Sequence, residues 1–260
     1  MATRTPRPAL GDTELQELLG LMKGADTVEL KLTVPEEAQR SAVMGLGLDP
    51  LQAEIRQVYF LETPELSLDK AGLVVRARRS QKKGDDSVVK LRPVVPSEVK
   101  AAIRRSPNFG VEVDAGPGGF VCSGSMKGAP TTGLVFEAAK GGRSPRKLFS
   151  KEQQALFAAH APDGVKLDDL KLLGPIFVLK LKYAPEGFNR KLVVEMWLYP
   201  DGTRILELST KCGTNEAFQV AAESRAFLHS KGVELDGEQQ TKTRTALEFF
   251  SRQMREAGAA

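Results

Sequence analysis

The chain has 260 residues, of which 41% are hydrophobic and 27% charged, the proportions of a soluble globular protein. Its formal net charge of +4 permits an anionic partner without requiring one. No apolar run approaches the roughly 20 residues that span a bilayer, and two histidines argue against a His-based metal cage or a Ser-His-Asp relay.

Residues 1–10 hold basic residues and prolines without an apolar h-region, so they read as a tail and not as a secretory signal. Asp12 is expected to cap a helix through Met22, with Leu15, Leu18, Leu19 and Met22 on one face. Thr27 to Val34 alternates strictly: Val28, Leu30, Leu32 and Val34 are apolar, and Glu29 and Lys31 sit between them. Side chains of a strand alternate between faces, so one face is hydrocarbon and the other charged. Pro35 opens a helix that Gly45 and Gly47 close. Strands are expected over 55–61, 72–79, 87–92 and 109–114, with a polar hairpin link at 81–86.

The stretch 115–142 is glycine-rich, lacks periodicity and has no phosphate-loop pattern, so it reads as a surface loop. Ser150 to Gln153 forms a capping box that opens a helix through His160. Strands follow over 176–183, 192–199 and 204–209, the last two joined at Pro200-Asp201-Gly202-Thr203. Two helices close the chain, one from near Asn215 and one carrying Leu247, Phe250 and Met254. Cys122 and Cys212 are far apart and read as free thiols of a reducing, cytoplasmic compartment.

Charged faces recur from strand to strand. They hold Glu29 and Lys31, Arg76 and Arg78, Lys90 and Arg92, Glu112 and Asp114, Lys180 and Lys182, Glu195, and Glu207. Two architectures accept this pattern. An open sheet packs its apolar face on helices and leaves the charges in water. A closed antiparallel barrel turns the charges inward and wears the helices outside; about eight strands leave room for one small ligand. Buried unpaired ions cost several kcal/mol each. An inward basic face therefore calls for water, carboxylate partners and a polyanion. Arginine offers bidentate bonds to phosphate and lysine adds point charge. Carboxylates among them make sense if they hold a hard cation such as Mg²⁺ or Mn²⁺ against phosphate oxygens. Nucleic acid is the disfavoured anion, because the basic residues alternate along strands and Trp197 is the only tryptophan.

The ordered set resembles the CYTH domain, or triphosphate tunnel metalloenzyme family. That family opens on E-x-E-x-K, where this chain reads Thr27-Val28-Glu29-Leu30-Lys31. Its Y-[FY]-D-T-P-x-L segment, glycine and R-x-R resemble Tyr59 to Leu66, Gly72 and Arg76-Ala77-Arg78. Its L-K-[LR] strand resembles Val89-Lys90-Leu91-Arg92, and its mid-chain glutamate Glu112. Lys180-Leu181-Lys182 is similar to its basic strand, Glu195 and Glu207 to its late acids, and Lys242 to its late lysine. The match runs from about Thr27 to Phe250. Thr27 and Ser209 stand where the family has glutamates, and Asp26 is one residue out of phase.

The resemblance implies an α+β fold: an eight-stranded antiparallel tunnel with helices outside. Residues 1–25 would form a tail and short helix, and 26–260 a single domain that includes C-terminal helices over 215–255. It implies Mg²⁺ or Mn²⁺ on Glu29, Glu195 and Glu207, with Glu112 a further lumen acid. Phosphates would be seated by Lys31, Arg76, Arg78, Lys90, Arg92, Lys180, Lys182 and Lys242, with Glu29 and Lys31 catalytic. The expected activity is metal-dependent hydrolysis of a triphosphate or polyphosphate small molecule, without a membrane partner. A non-catalytic triphosphate sensor and an adenylate cyclase are the alternatives.

Overall fold

The structure, a computed structural model, describes residues 11–234 and 242–258; the tail expected over residues 1–10 lies outside them. The chain runs α1 (Asp12–Gly24), β1 (Thr27–Val34), α2 (Gln39–Gly45), β2 (Glu54–Glu62), α3 (Ser67–Lys70), β3 (Leu73–Ser80) and β4 (Gly84–Leu91). It continues through α4 (Ala101–Arg104), β5 (Phe109–Gly116), β6 (Gly119–Gly128), α5 (Leu134–Ala139), α6 (Lys151–His160) and β7 (Lys171–Tyr183). β8 (Leu192–Leu198), β9 (Arg204–Cys212), α7 (Ala217–Ser230) and α8 (Lys242–Gly258) complete it.

The strands close into a barrel in the order β1-β5-β6-β4-β3-β2-β7-β8-β9. Two expectations are corrected. The barrel has nine strands, not eight, and it is mixed, because β1 and β5 pair in parallel while the other neighbours are antiparallel. The extra strand is β6, inside the stretch expected to be a loop. Its Ser123, Gly124 and Ser125 dilute the apolar alternation that marks a strand. Packing explains one of these small residues. A Cβ on Gly124 would lie 2.7 Å from the Phe109 ring, so glycine makes room for that buried aromatic. Gly119, at φ 111°, closes the turn from β5 in a backbone conformation that glycine alone adopts freely. The same stretch also contains α5.

Alternation divides the barrel wall into two chemistries. The outward row of Tyr59, Leu61, Val75, Ala77, Val89, Val111 and Val113 packs with α1, α5 and α6 in one apolar cluster. Gln153 fixes α6 there: it donates to the Met126 carbonyl and accepts from the Ser87 hydroxyl and the Ser150 amide. On the other flank, Leu32, Val34, Val194, Leu206 and Leu208 pack with α2 and α7. The remaining row, in register with one another, faces the lumen: Glu29 opposite Lys211, Lys31 opposite Ser209, Lys180 opposite Glu195, and Glu195 opposite Glu207.

The lumen changes character at one end. Val58, Phe60, Ile176, Val178, Trp197 and Ile205 share the phase of the charged residues but are apolar. They pack against Ala246, Leu247 and Phe250 of α8, which plugs that mouth. The Tyr199 hydroxyl donates to the Lys242 carbonyl at 3.0 Å, and Ser251 to the Pro64 carbonyl at 3.1 Å, fixing the start and the middle of the helix. Phe250→Ala removes the ring at the centre of this contact and is expected to cost about 3–5 kcal/mol. Urea denaturation checks it; a loss below ~1 kcal/mol would show that α8 is not seated in the mouth.

Candidate functional site in the barrel lumen

Two ionic clusters occupy the lumen. The first is made by the parallel pairing of β1 and β5, which sets Thr27 beside Glu112 and Glu29 beside Asp114. Backbones approach closely here: a Cβ on Gly116 would collide with the Lys31 carbonyl. Asp114, 4% exposed, is the hub. Lys31 Nζ lies 2.8 Å from it, Arg92 Nη1 2.8 Å and Lys90 Nζ 3.7 Å. Lys31 also reaches Glu29 at 3.2 Å, and Lys211 pairs with Glu112. Thr27 Oγ1 donates to Glu112 at 3.2 Å, and Ser209 Oγ to Glu29 at 3.1 Å.

The second cluster lies toward α8. Lys242, the first residue of that helix, places its ammonium 2.6 Å from Glu195 and 2.6 Å from Glu207. It also lies 4.9 Å from the centre of the Trp197 ring, whose Nε1 donates to Glu195 at 3.1 Å. Lys180 pairs with Glu195 from the neighbouring strand.

Basic groups without full compensation lie around these clusters. Arg76 forms no ion pair among the described residues, and its buried Nε has no acceptor. Burial, with Arg78 nearby, pushes Arg76 down to about 9. Burial also pushes Lys90 down to about 8, against the pull of Asp114. Burial lowers Lys180 despite Glu195. The acids respond in the opposite sense. Burial would raise Asp114, but Lys90, Lys31 and Arg92 hold it at about 2. Glu29 is below its ordinary range, because Lys31 and Lys211 outweigh burial. Glu195 is well below, because Lys242 and Lys180 outweigh burial. Burial would lower Lys31 and Lys242, yet Asp114 with Glu29, and Glu195 with Glu207, hold them above the lysine value. Every charge in the clusters is therefore coupled to a neighbour, while the cost of burying Arg76 and Lys90 is only partly offset.

The sequence-derived residues are brought together with one regrouping. Glu29, Glu195 and Glu207 do not form one group. Among the described residues, the acids whose oxygens lie within 4.8 Å of one another are Glu29, Glu112 and Asp114. The parallel β1–β5 pair gathers them, and Glu195 and Glu207 are joined by Lys242 instead. Arg78 pairs with Asp86 at 2.8 Å. Lys182 is exposed at the mouth opposite α8. Asp26 does not turn inward; it accepts from the Val111 amide at 2.7 Å and pairs with Arg104. Lys211 was missed, although it continues the two-residue spacing of Glu207 and Ser209. Arg56, which pairs with Glu54 at 2.6 Å, also continues the charged row at the start of β2.

No family model matches this sequence, and no curated protein matches it. Solved structures do. A protein of Bacillus halodurans described as a "putative adenylate cyclase" superposes with a TM-score of 0.57 at 14% identity, covering 85% of this chain and 97% of that one. A Hippeastrum "putative adenylyl cyclase", described as having a dominant triphosphatase activity, gives 0.56 at 17%, covering 83% and 92%. The likeness is one of fold: a closed barrel with helices outside.

Two outcomes test the electrostatics. Burial pushes Lys90 down to about 8, so tripolyphosphate affinity should fall as pH rises from 7 to 9. Lys90→Arg should flatten that fall, as followed by calorimetric titration. Lys242→Ala leaves two buried carboxylates short of a partner and should cost about 3–5 kcal/mol in urea denaturation.

Proposed function

We propose that the lumen seats the phosphate chain of a triphosphate substrate and hydrolyses its terminal phosphoryl group with the help of Mg²⁺ or Mn²⁺. The observation that carries this reading is Arg76, an enclosed guanidinium with no carboxylate partner and an unanswered Nε among the described residues, inside a closed barrel. Such a charge is costly unless a ligand supplies the anion. Arg78, Lys90, Arg92, Lys180 and Lys182 lie on the same inward face, and Lys31 joins Glu29 to Asp114. In-line attack of water breaks the bridging P–O bond, and these cations stabilise charge on the phosphoryl oxygens.

The carboxylates fit a hard cation. Glu29, Glu112 and Asp114 offer oxygens within 4.8 Å of one another, and the Lys31 ammonium already lies between Glu29 and Asp114. A bound Mg²⁺ or Mn²⁺ would supply Lewis-acid polarisation of phosphate oxygens and water. Glu29 and Asp114 remain ionised at neutral pH, as such a site requires. Glu195 and Glu207 hold Lys242, and through it the α8 plug.

The sensor alternative draws on Thr27 and Ser209, whose hydroxyls hydrogen-bond Glu112 and Glu29 where acids would add ligands. A phosphate-release assay on tripolyphosphate, ATP and thiamine triphosphate separates the two, and tight binding without turnover supports the sensor. Cyclic AMP from ATP would support the cyclase. A polyanion at 100 times its dissociation constant adds about 2.7 kcal/mol, so tripolyphosphate should raise the Tm clearly and orthophosphate should not. Glu29→Gln should abolish turnover while metal-free tripolyphosphate binding persists. Arg76→Ala deletes charge-assisted bonds worth roughly 1.5–3 kcal/mol and should weaken binding with or without metal.

A further inference from the structure

A cleft of about 450 Å³ lies at the barrel rim, where β2 begins and β3 and β7 border it. That volume suits a small organic ligand. It lies at the mouth opposite α8. Its inner lip is formed by Arg56 and Ser80, which pair across β2 and β3 in phase with Arg78 and so continue the row expected to hold phosphate. From there the cleft crosses to the outer wall, where Gln57, Arg79 and Phe177 line it.

Two polar atoms in this cleft, Ser80 Oγ and Arg79 Nε, are buried and unanswered among the described residues. The Ser80 hydroxyl is buried, at 9% exposure of the residue, with no partner among the described residues. Arg79 forms no ion pair among the described residues. Its Nη1 donates to Gln57 at 2.7 Å, its Nε has no acceptor, and its guanidinium lies 4.5 Å from the centre of the Phe136 ring. Phe177 is 45% exposed and Ile55 48%, large apolar side chains left open on the wall beside these polar groups. An apolar shelf, a flat guanidinium and hydrogen-bonding edges from Gln57 and Ser80 together suit a flat heteroaromatic ring.

We propose that the ring of an organic triphosphate docks in this rim cleft, between Phe177, Ile55 and Arg79, while its phosphate chain passes Arg56 and Ser80 into the lumen. The inference rests on the reading of the lumen as a phosphate site and adds the class of group attached to the phosphates. Inorganic tripolyphosphate would use the lumen and none of the shelf.

The test is calorimetric titration in EDTA of ATP, thiamine triphosphate and tripolyphosphate into the whole chain and two variants. The first, Phe177→Ala with Ile55→Ser, alters only exposed side chains. It should weaken at least one ring-bearing triphosphate about fivefold and leave tripolyphosphate within about twofold. The second, Arg76→Ala, should weaken all ligands that bind. Equal losses for ring-bearing and bare chains in the first variant, or no loss for either ring, overturn the proposal, as does wild-type binding of both rings no tighter than tripolyphosphate. If Arg76→Ala leaves tripolyphosphate binding intact, the lumen reading itself has failed, whatever the shelf does.

Discussion

A β-strand has two faces, and in this barrel the apolar one is taken by the helices outside. Closure of the sheet leaves the charged row nowhere to go but inward. Each inward ion loses hydration that must be replaced by a neighbour, by water or by a ligand. Asp114 shows the first solution, with Lys31, Arg92 and Lys90 around one carboxylate. Arg76 has no such partner among the described residues. The lumen is thus mutually compensated at its acidic wall and incompletely compensated at its basic one.

Closure also accounts for the helices at both ends of the chain. α1 clothes the wall near β5, and α7 the wall near β1. α8 enters the mouth, bringing Phe250 to the apolar end and Lys242 to the paired acids Glu195 and Glu207. One helix therefore completes both the core and the electrostatics of the tunnel. Hydrocarbon holds its body, while the ammonium at its start neutralises two carboxylates that cross-strand register sets side by side. Like charges placed directly opposite repel, so this pair of strands depends on the lysine delivered from outside the sheet.

Most of the charged row was legible because a period of two survives in Glu29–Lys31, Arg76–Arg78 and Lys180–Lys182. The direction those residues face was not, since an open sheet gives the same alternation; closure decides it. β6 was hidden because Gly124 serves the Phe109 ring and the serines beside it erase the apolar signal. The acidic grouping was hidden for a different reason. Strand partners are set by long-range pairing, and a parallel β1–β5 contact brings Glu112 and Asp114 to Glu29, whereas the family motif pointed to Glu195 and Glu207. Thr27 and Ser209, which depart from that motif, keep a place in the network by orienting Glu112 and Glu29 with their hydroxyls.

The most direct measurement is a crystal structure with tripolyphosphate and Mn²⁺, using the anomalous signal of manganese to place the ion. The account predicts phosphates on Arg76 and Lys90 within the barrel, and manganese on Glu29, Glu112 and Asp114. An anion bound only on the outer surface, or manganese between Glu195 and Glu207 with Lys242 displaced, would contradict it.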